Sequence, residues 1–253
     1  MIPYFSFSVV QFGPISLQVW GFFASLGILF ALLISLDRAR KRGIENAIIY
    51  DICLIALISM IAGAKLFYIL FSPEADISMA GIFARGGFSF FGGMAFSAAA
   101  VYSYLKYKKM DVLRIADILA PGFAFALIFI RIGCFLVYDH VGGVTDLPWG
   151  IAYLDGSIRH PVSLYLIFGN IVIFFIIWYL EKRKTILADG TIFFVFFTLY
   201  SVFRFMIDLA RCSDLDVCEL RYFGFTYTQL LLLAVFPVSV HIINKLKINK
   251  KNE

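Results

Sequence analysis

Long apolar runs separated by short basic ones set the pattern of this chain. Runs at about 16–36, 48–71, 88–105, 112–137, 161–180, 190–209 and 223–243 are each long enough to cross roughly 30 Å of hydrocarbon as a helix. The run at 88–105 is the shortest, and its start is rich in glycine. The pattern predicts an all-α, polytopic integral membrane protein, with seven transmembrane helices forming one domain over residues 1–253. Seven spans place the two termini on opposite faces.

Charge then chooses the orientation. Fifteen of the twenty-two Lys and Arg residues lie in segments 37–43, 106–114, 181–184 and 245–251, all on one side of the seven-span arrangement. Positive charge marks the cytoplasmic side, so the N-terminus is expected outside and the C-terminus inside. The first Lys or Arg is Arg38, so no basic segment precedes the first span and no cleaved leader is expected. Composition agrees with burial in lipid: 61% of residues are hydrophobic and only 15% charged, too few charges for the surface of a soluble globule. The net charge of +5 is therefore a topology signal and a contact with anionic lipid, and not a sign of nucleic-acid binding.

Seven basic residues fall outside those segments: Lys65, Arg85, Arg131, Arg159, Arg204, Arg211 and Arg221. All are expected at or near the outer helix ends or in the outer loops, and six are arginine. Arginine's planar fork suits two-point contact with phosphate or carboxylate. A charge at bilayer depth costs about 2.5–3.5 kcal/mol on insertion scales, so each needs a partner.

Three clusters on the outer side carry the candidate chemistry. In LYSVFRFMIDLARC (199–212), Tyr200, Arg204, Asp208 and Arg211 are spaced 4, 4 and 3, which aligns them on one helical stripe. Asp208 can neutralise its two arginine neighbours, which still leaves one positive charge for an anion from the lipid side. Arg131, inside FALIFIRIGCFLVYDH (125–140), is a permanent cation in an apolar helix. The loop after it holds Asp139, His140, Gly142 and Gly143. His140 is either a solvated loop histidine or a proton acceptor near neutral pH. In RGGFSFFGGMAF (85–96), Gly92 and Gly93 allow backbone to approach either a ligand or another helix. Together these elements point to a protein that handles phospholipid headgroups at the outer face. Cys53 and Cys134 are expected as free thiols, and no cysteine spacing suggests a metal site. Cys212 and Cys218 either pair or stay reduced.

ADILAP (116–121), RIGCF (131–135), GGVTDLPWG (142–150), RHPVSLY (159–165) and the Tyr200/Arg204/Asp208/Arg211 stripe occur in an order and spacing that resembles the prolipoprotein diacylglyceryl transferases. The resemblance runs from VWG at 19–21 to TQL at 228–230. It implies a multi-pass enzyme of the bacterial cytoplasmic membrane with its active site toward the outer face. Such an enzyme moves the diacylglyceryl group of phosphatidylglycerol to the lipobox cysteine of prolipoprotein signal peptides. No metal or other cofactor is implied. Arg131 lies where the family's signature arginine lies, and Tyr200, Arg204 and Arg211 match the tyrosine and arginines of its late helix. The resemblance thus implies catalytic roles for Arg131, Arg204 and Tyr200, and phosphatidylglycerol contacts from Arg131, Arg204, Arg211, Gly92, Gly93, Gly142 and Asp139; His140 joins the catalytic candidates from its own place in the loop, as a proton acceptor. Four positions depart from the family's pattern: Phe91 for histidine, Cys134 for asparagine, Ile130 for glycine and Trp20 for tyrosine. Phe91 cannot move a proton. Either the base is dispensable or relocated to His140, Asp139 or His160, or the chain binds lipid or signal peptide without transfer chemistry.

Overall fold

The computed structural model describes residues 2–72, 78, 87–182, 188–215 and 218–251. Seven long helices dominate it: α1 (Val19–Lys41), α2 (Asn46–Phe71), α3 (Phe90–Tyr107), α4 (Val112–Val137), α5 (Val162–Lys182), α6 (Thr191–Asp208) and α7 (Tyr227–Lys251). All but α3 are long and apolar enough to cross a membrane. α3 falls short because its 18 residues include Gly92, Gly93, three tyrosines and Lys106. It extends about 27 Å at 1.5 Å per residue. Six candidate spans thus stand where the sequence pattern predicts seven.

The described chain is mostly helical, as the apolar runs predict, with short strands beside the helices. Three antiparallel hairpins connect or precede the helices: β1 (Val9–Phe12) with β2 (Ile15–Gln18), β3 (Ile151–Ala152) with β4 (Ile158–Arg159), and β5 (Arg221–Tyr222) with β6 (Phe225–Thr226). Their turns account for them. Gly13 at φ +60° begins the first turn, and Phe223 and Gly224 at φ +52° and +84° form the third, whose positive dihedrals match the right-handed twist of paired strands. The apolar runs predicted at 16–36 and 223–243 therefore begin as strand or turn, and their helices start at Val19 and Tyr227.

The chain divides into two compact units, Met1–Ile34 with Ala116–Glu253, and Ser35–Ile115. In the second unit α2 and α3 pack closely because glycine removes the side chains between them. A Cβ on Gly92 would lie 2.1 Å from the Phe67 Cβ and 2.8 Å from the Gly63 carbonyl oxygen. One on Gly93 would lie 2.9 Å from the Met60 oxygen.

The first unit has its core where α4, α5 and α6 meet, around Ala120, Ala124, Leu127, Ile173, Ile177, Ile192 and Phe196. A buried carboxylate sets the start of α6. Asp117, on α4, accepts hydrogen bonds of 2.8 Å from the backbone N–H groups of Gly190 and Phe193. These are among the donors a helix leaves unpaired at its N-terminus. Replacing Asp117→Ala strands them in an apolar setting. We expect a loss of about 1–3 kcal/mol of stability, with a smaller loss for Asp117→Asn, measured as a lower midpoint of thermal unfolding in detergent.

Candidate functional site

α6 carries most of the site. Its apolar face packs on α4 and α5, while its C-terminal turns present Tyr200, Arg204 and Asp208 from successive turns, with Arg211 just beyond the helix end. Asp208 is fully buried and shared: Arg204 Nη1 lies 3.1 Å and Arg211 Nη1 3.8 Å from its Oδ1. Thr226 Oγ1, at the end of the β5–β6 hairpin, donates to Asp208 Oδ2 at 3.4 Å. Thr226 is held in turn by Gln229, through reciprocal contacts of 3.0 and 3.1 Å. The self-neutralising ladder legible in the spacing is thus present, but it has a further member. Glu219 Oε1 pairs with Arg211 Nη1 at 2.6 Å.

Arg131 reaches the same cluster from α4. Its Nη1 lies 2.6 Å from His140 Nε2 and donates to Cys134 Sγ at 3.7 Å, and its guanidinium interacts with the Tyr200 phenol. Among the described residues no carboxylate lies within ion-pair distance of Arg131, and its buried Nε finds no acceptor. The balance is then three guanidiniums, Arg131, Arg204 and Arg211, against two carboxylates, Asp208 and Glu219. Arg131 is the cation left over.

His140 is not a solvated loop histidine, since only 16% of its side chain is exposed. Burial first, then the charges of Arg131, Arg211 and Arg204, push its pKa down to about 3, so the ring is neutral at physiological pH. Its exposed neighbour Asp139 places Oδ2 3.8 Å from His140 Nδ1.

Backbone pairing keeps this loop in place. Gly142 bridges Arg211, Gly143 N–H donates to Ala210 O at 2.9 Å, and Cys212 N–H donates to Val141 O. On the opposite edge His160 N–H donates to Gly143 O at 3.0 Å. A Cβ on Gly142 would sit 2.1 Å from the His160 carbonyl oxygen, so this glycine is required by backbone crowding. Cys212 and Cys218 form a disulfide. The loop it closes is clamped by Arg159, whose buried guanidinium makes a two-point contact with Asp214 at 2.8 and 3.1 Å and also reaches Asp155 and Gly142 O.

Arg131, Tyr200, Arg204, Arg211, His140 and Gly142 are therefore gathered at one place, with Asp139 at its exposed edge. Gly92 and Gly93 belong to the other unit, where they serve the α2–α3 contact. Arg85 lies outside the described residues. Lys65 stands over the rings of Tyr68 and Phe88. Glu219 and the Arg159–Asp214 clamp were missed by reasoning from spacing, although Glu219 directly follows a cysteine that pairs beside Arg211.

Helices long and apolar enough to cross a membrane thus gather three guanidiniums and two carboxylates at one place. The sequence profile of the prolipoprotein diacylglyceryl transferases matches residues 8–244. Among curated relatives, the phosphatidylglycerol–prolipoprotein diacylglyceryl transferase of Clostridium tetani is 32% identical over 80% of this chain and 84% of its own length. Those of Clostridioides difficile and Nitratidesulfovibrio vulgaris, with the same designation, are 28% and 30% identical over more than nine-tenths of both chains. This chain belongs to the prolipoprotein diacylglyceryl transferase family.

Proposed function

We infer that this chain is an enzyme that transfers the diacylglyceryl group of phosphatidylglycerol to prolipoproteins. The observation that carries the reading is Arg131, a cation with no carboxylate of its own among the described residues, in a cluster of three guanidiniums and two carboxylates. A phospholipid phosphate is the counter-ion that makes such a residue tolerable at membrane depth. Arg131 and Arg204 hold that phosphate, Arg211 joins them as Glu219 gives way, and Tyr200 orients a headgroup oxygen. An apolar groove lined by Phe193, Phe197, Ala234 and Val238, between α6 and α7, receives an acyl chain. Phe193 is eleven residues along α6 from Arg204, about 16 Å, a distance an acyl chain can span.

The reaction is a displacement at carbon. The sulfur of the lipobox cysteine bonds to C3 of the diacylglycerol moiety, and the C3–O bond breaks with its electron pair passing to the phosphate. Glycerol 1-phosphate leaves and a thioether remains. The arginines stabilise the charge that builds on the departing phosphate, a contribution fixed in place before the reaction begins. The substituted sulfur has a pKa near 8.5 as a free thiol, and a cationic cluster lowers it. The basic segments 37–43 and 106–114, at helix ends and in the turns between them, face the cytoplasm on this reading, with the arginine cluster toward the outer face of the bacterial cytoplasmic membrane.

Mass spectrometry of a lipobox-containing reporter, produced in membranes with and without this protein, tests the assignment. The expected result is a mass increase of one diacylglyceryl group only when the protein is present. An unmodified reporter that co-purifies with the protein would instead make it a binder.

A further inference from the structure

The contact between Arg131 and His140 leaves one assignment for the imidazole proton. A guanidinium donates and does not accept, so at the 2.6 Å contact Arg131 Nη1 is the donor and His140 Nε2 the acceptor. The ring proton then lies on Nδ1, which faces the Asp139 carboxylate at 3.8 Å. The lone pair a base would use is covered. The charged and titratable groups around the ring are Arg131 and Cys134 on α4, Arg204 on α6 and Arg211 just beyond it, Tyr138 and Asp139 in the same loop, and His160, which lines the same small cavity. The three cations together with burial keep the ring unprotonated.

A phosphate arriving at this cluster changes both conditions. Its oxygens compete for the Arg131 guanidinium with two-point, charge-assisted hydrogen bonds that a single imidazole nitrogen cannot match. Its negative charge also offsets the field of the three guanidiniums.

We propose that His140 is the proton acceptor of the transfer step, covered by Arg131 until a phospholipid phosphate draws that guanidinium away. The proposal rests on the transfer reading above. In the step itself, the lipobox S–H proton passes to His140 Nε2 as the sulfur–C3 bond forms and the C3–O bond breaks. The ring afterwards returns that proton to the departing phosphate monoester, whose second pKa near 6 suits it. The starting tautomer is restored, and Arg131 can close over it again. Deprotonation is thereby made to wait for the lipid.

The test uses the full chain in nanodiscs containing phosphatidylglycerol, with a lipobox peptide as acceptor. His140→Gln keeps an acceptor for Arg131 but cannot carry a proton. We expect phosphatidylglycerol binding to be retained while transfer at pH 7 falls about 10²–10⁴-fold, as for loss of a general base. The deficit should narrow as pH rises toward the thiol pKa of about 8.5, where the sulfur ionises unaided. A variant as fast as the parent at pH 7, or a deficit that does not change with pH, overturns the proposal. A measurement on the unaltered protein does not depend on the variant folding: nitrogen NMR of labelled histidine in lipid-free micelles and after adding phosphatidylglycerol. Protonation of His140 is expected to move from about 3 toward the neutral range, and an unmoved titration overturns the proposal. If the unaltered protein transfers no diacylglyceryl group, the functional reading falls and takes this proposal with it. A working parent and a working His140→Gln remove the proposal alone.

Discussion

Arg131→Ala should abolish measurable modification of a lipobox substrate, with a fall in rate of at least about 10²–10³-fold. Removal of a single preorganised donor from an oxyanion site costs about that much, and here the donor is also a full charge. Of the three guanidiniums in the cluster, the substitution deletes the one without a carboxylate partner among the described residues, together with its contact to His140 Nε2. Arg131→Lys should fall between the two, since lysine keeps the charge but loses the fork. Timed conversion of a lipobox peptide in phosphatidylglycerol vesicles measures all three. An unchanged rate in the alanine variant would remove Arg131 from the mechanism.

Asp208→Asn should cost stability as well as activity. Asp208 is fully buried, shared by Arg204 and Arg211, and bonded to Thr226 Oγ1. Asparagine preserves the shape but removes the charge, and leaving a buried cation without its partner costs about 3–5 kcal/mol. Glu219 still offsets Arg211, so the loss falls chiefly on Arg204. The midpoint of thermal unfolding in detergent should drop well below the parent's, and transfer should be lost at temperatures where the variant is still folded. Asp208→Glu, which restores the charge, should recover most of both.

Part of this site was legible before any coordinates. Tyr200, Arg204, Asp208 and Arg211 recur at helical spacing, and periodicity alone puts such residues on one stripe. Arg131 was legible as a charge in an apolar run. The link between the two was not, because α4 and α6 are brought together by contacts such as Phe123 with Phe196, and no local pattern records that pairing. Glu219 went unrecognised for the same reason: its value lies in a partner reached through a disulfide-closed loop. His140 was ambiguous because exposure decides its role, and exposure is a tertiary property. The helices were legible from their apolar length, while the hairpins escaped notice since strands of two to four residues carry too little alternation to read. The glycines of α3 left two readings open, ligand or helix contact, and the backbone of α2 beside them supports the second.

The short backbone pairings around Gly142 have a mechanical consequence. They tie the His140 loop to the C-terminal end of α6 on one edge and to the His160 segment on the other. Neighbouring strands joined this way travel as a single plate. On the function proposed above, the route for a phospholipid entering from the bilayer lies along some other seam, where helices touch only through side chains.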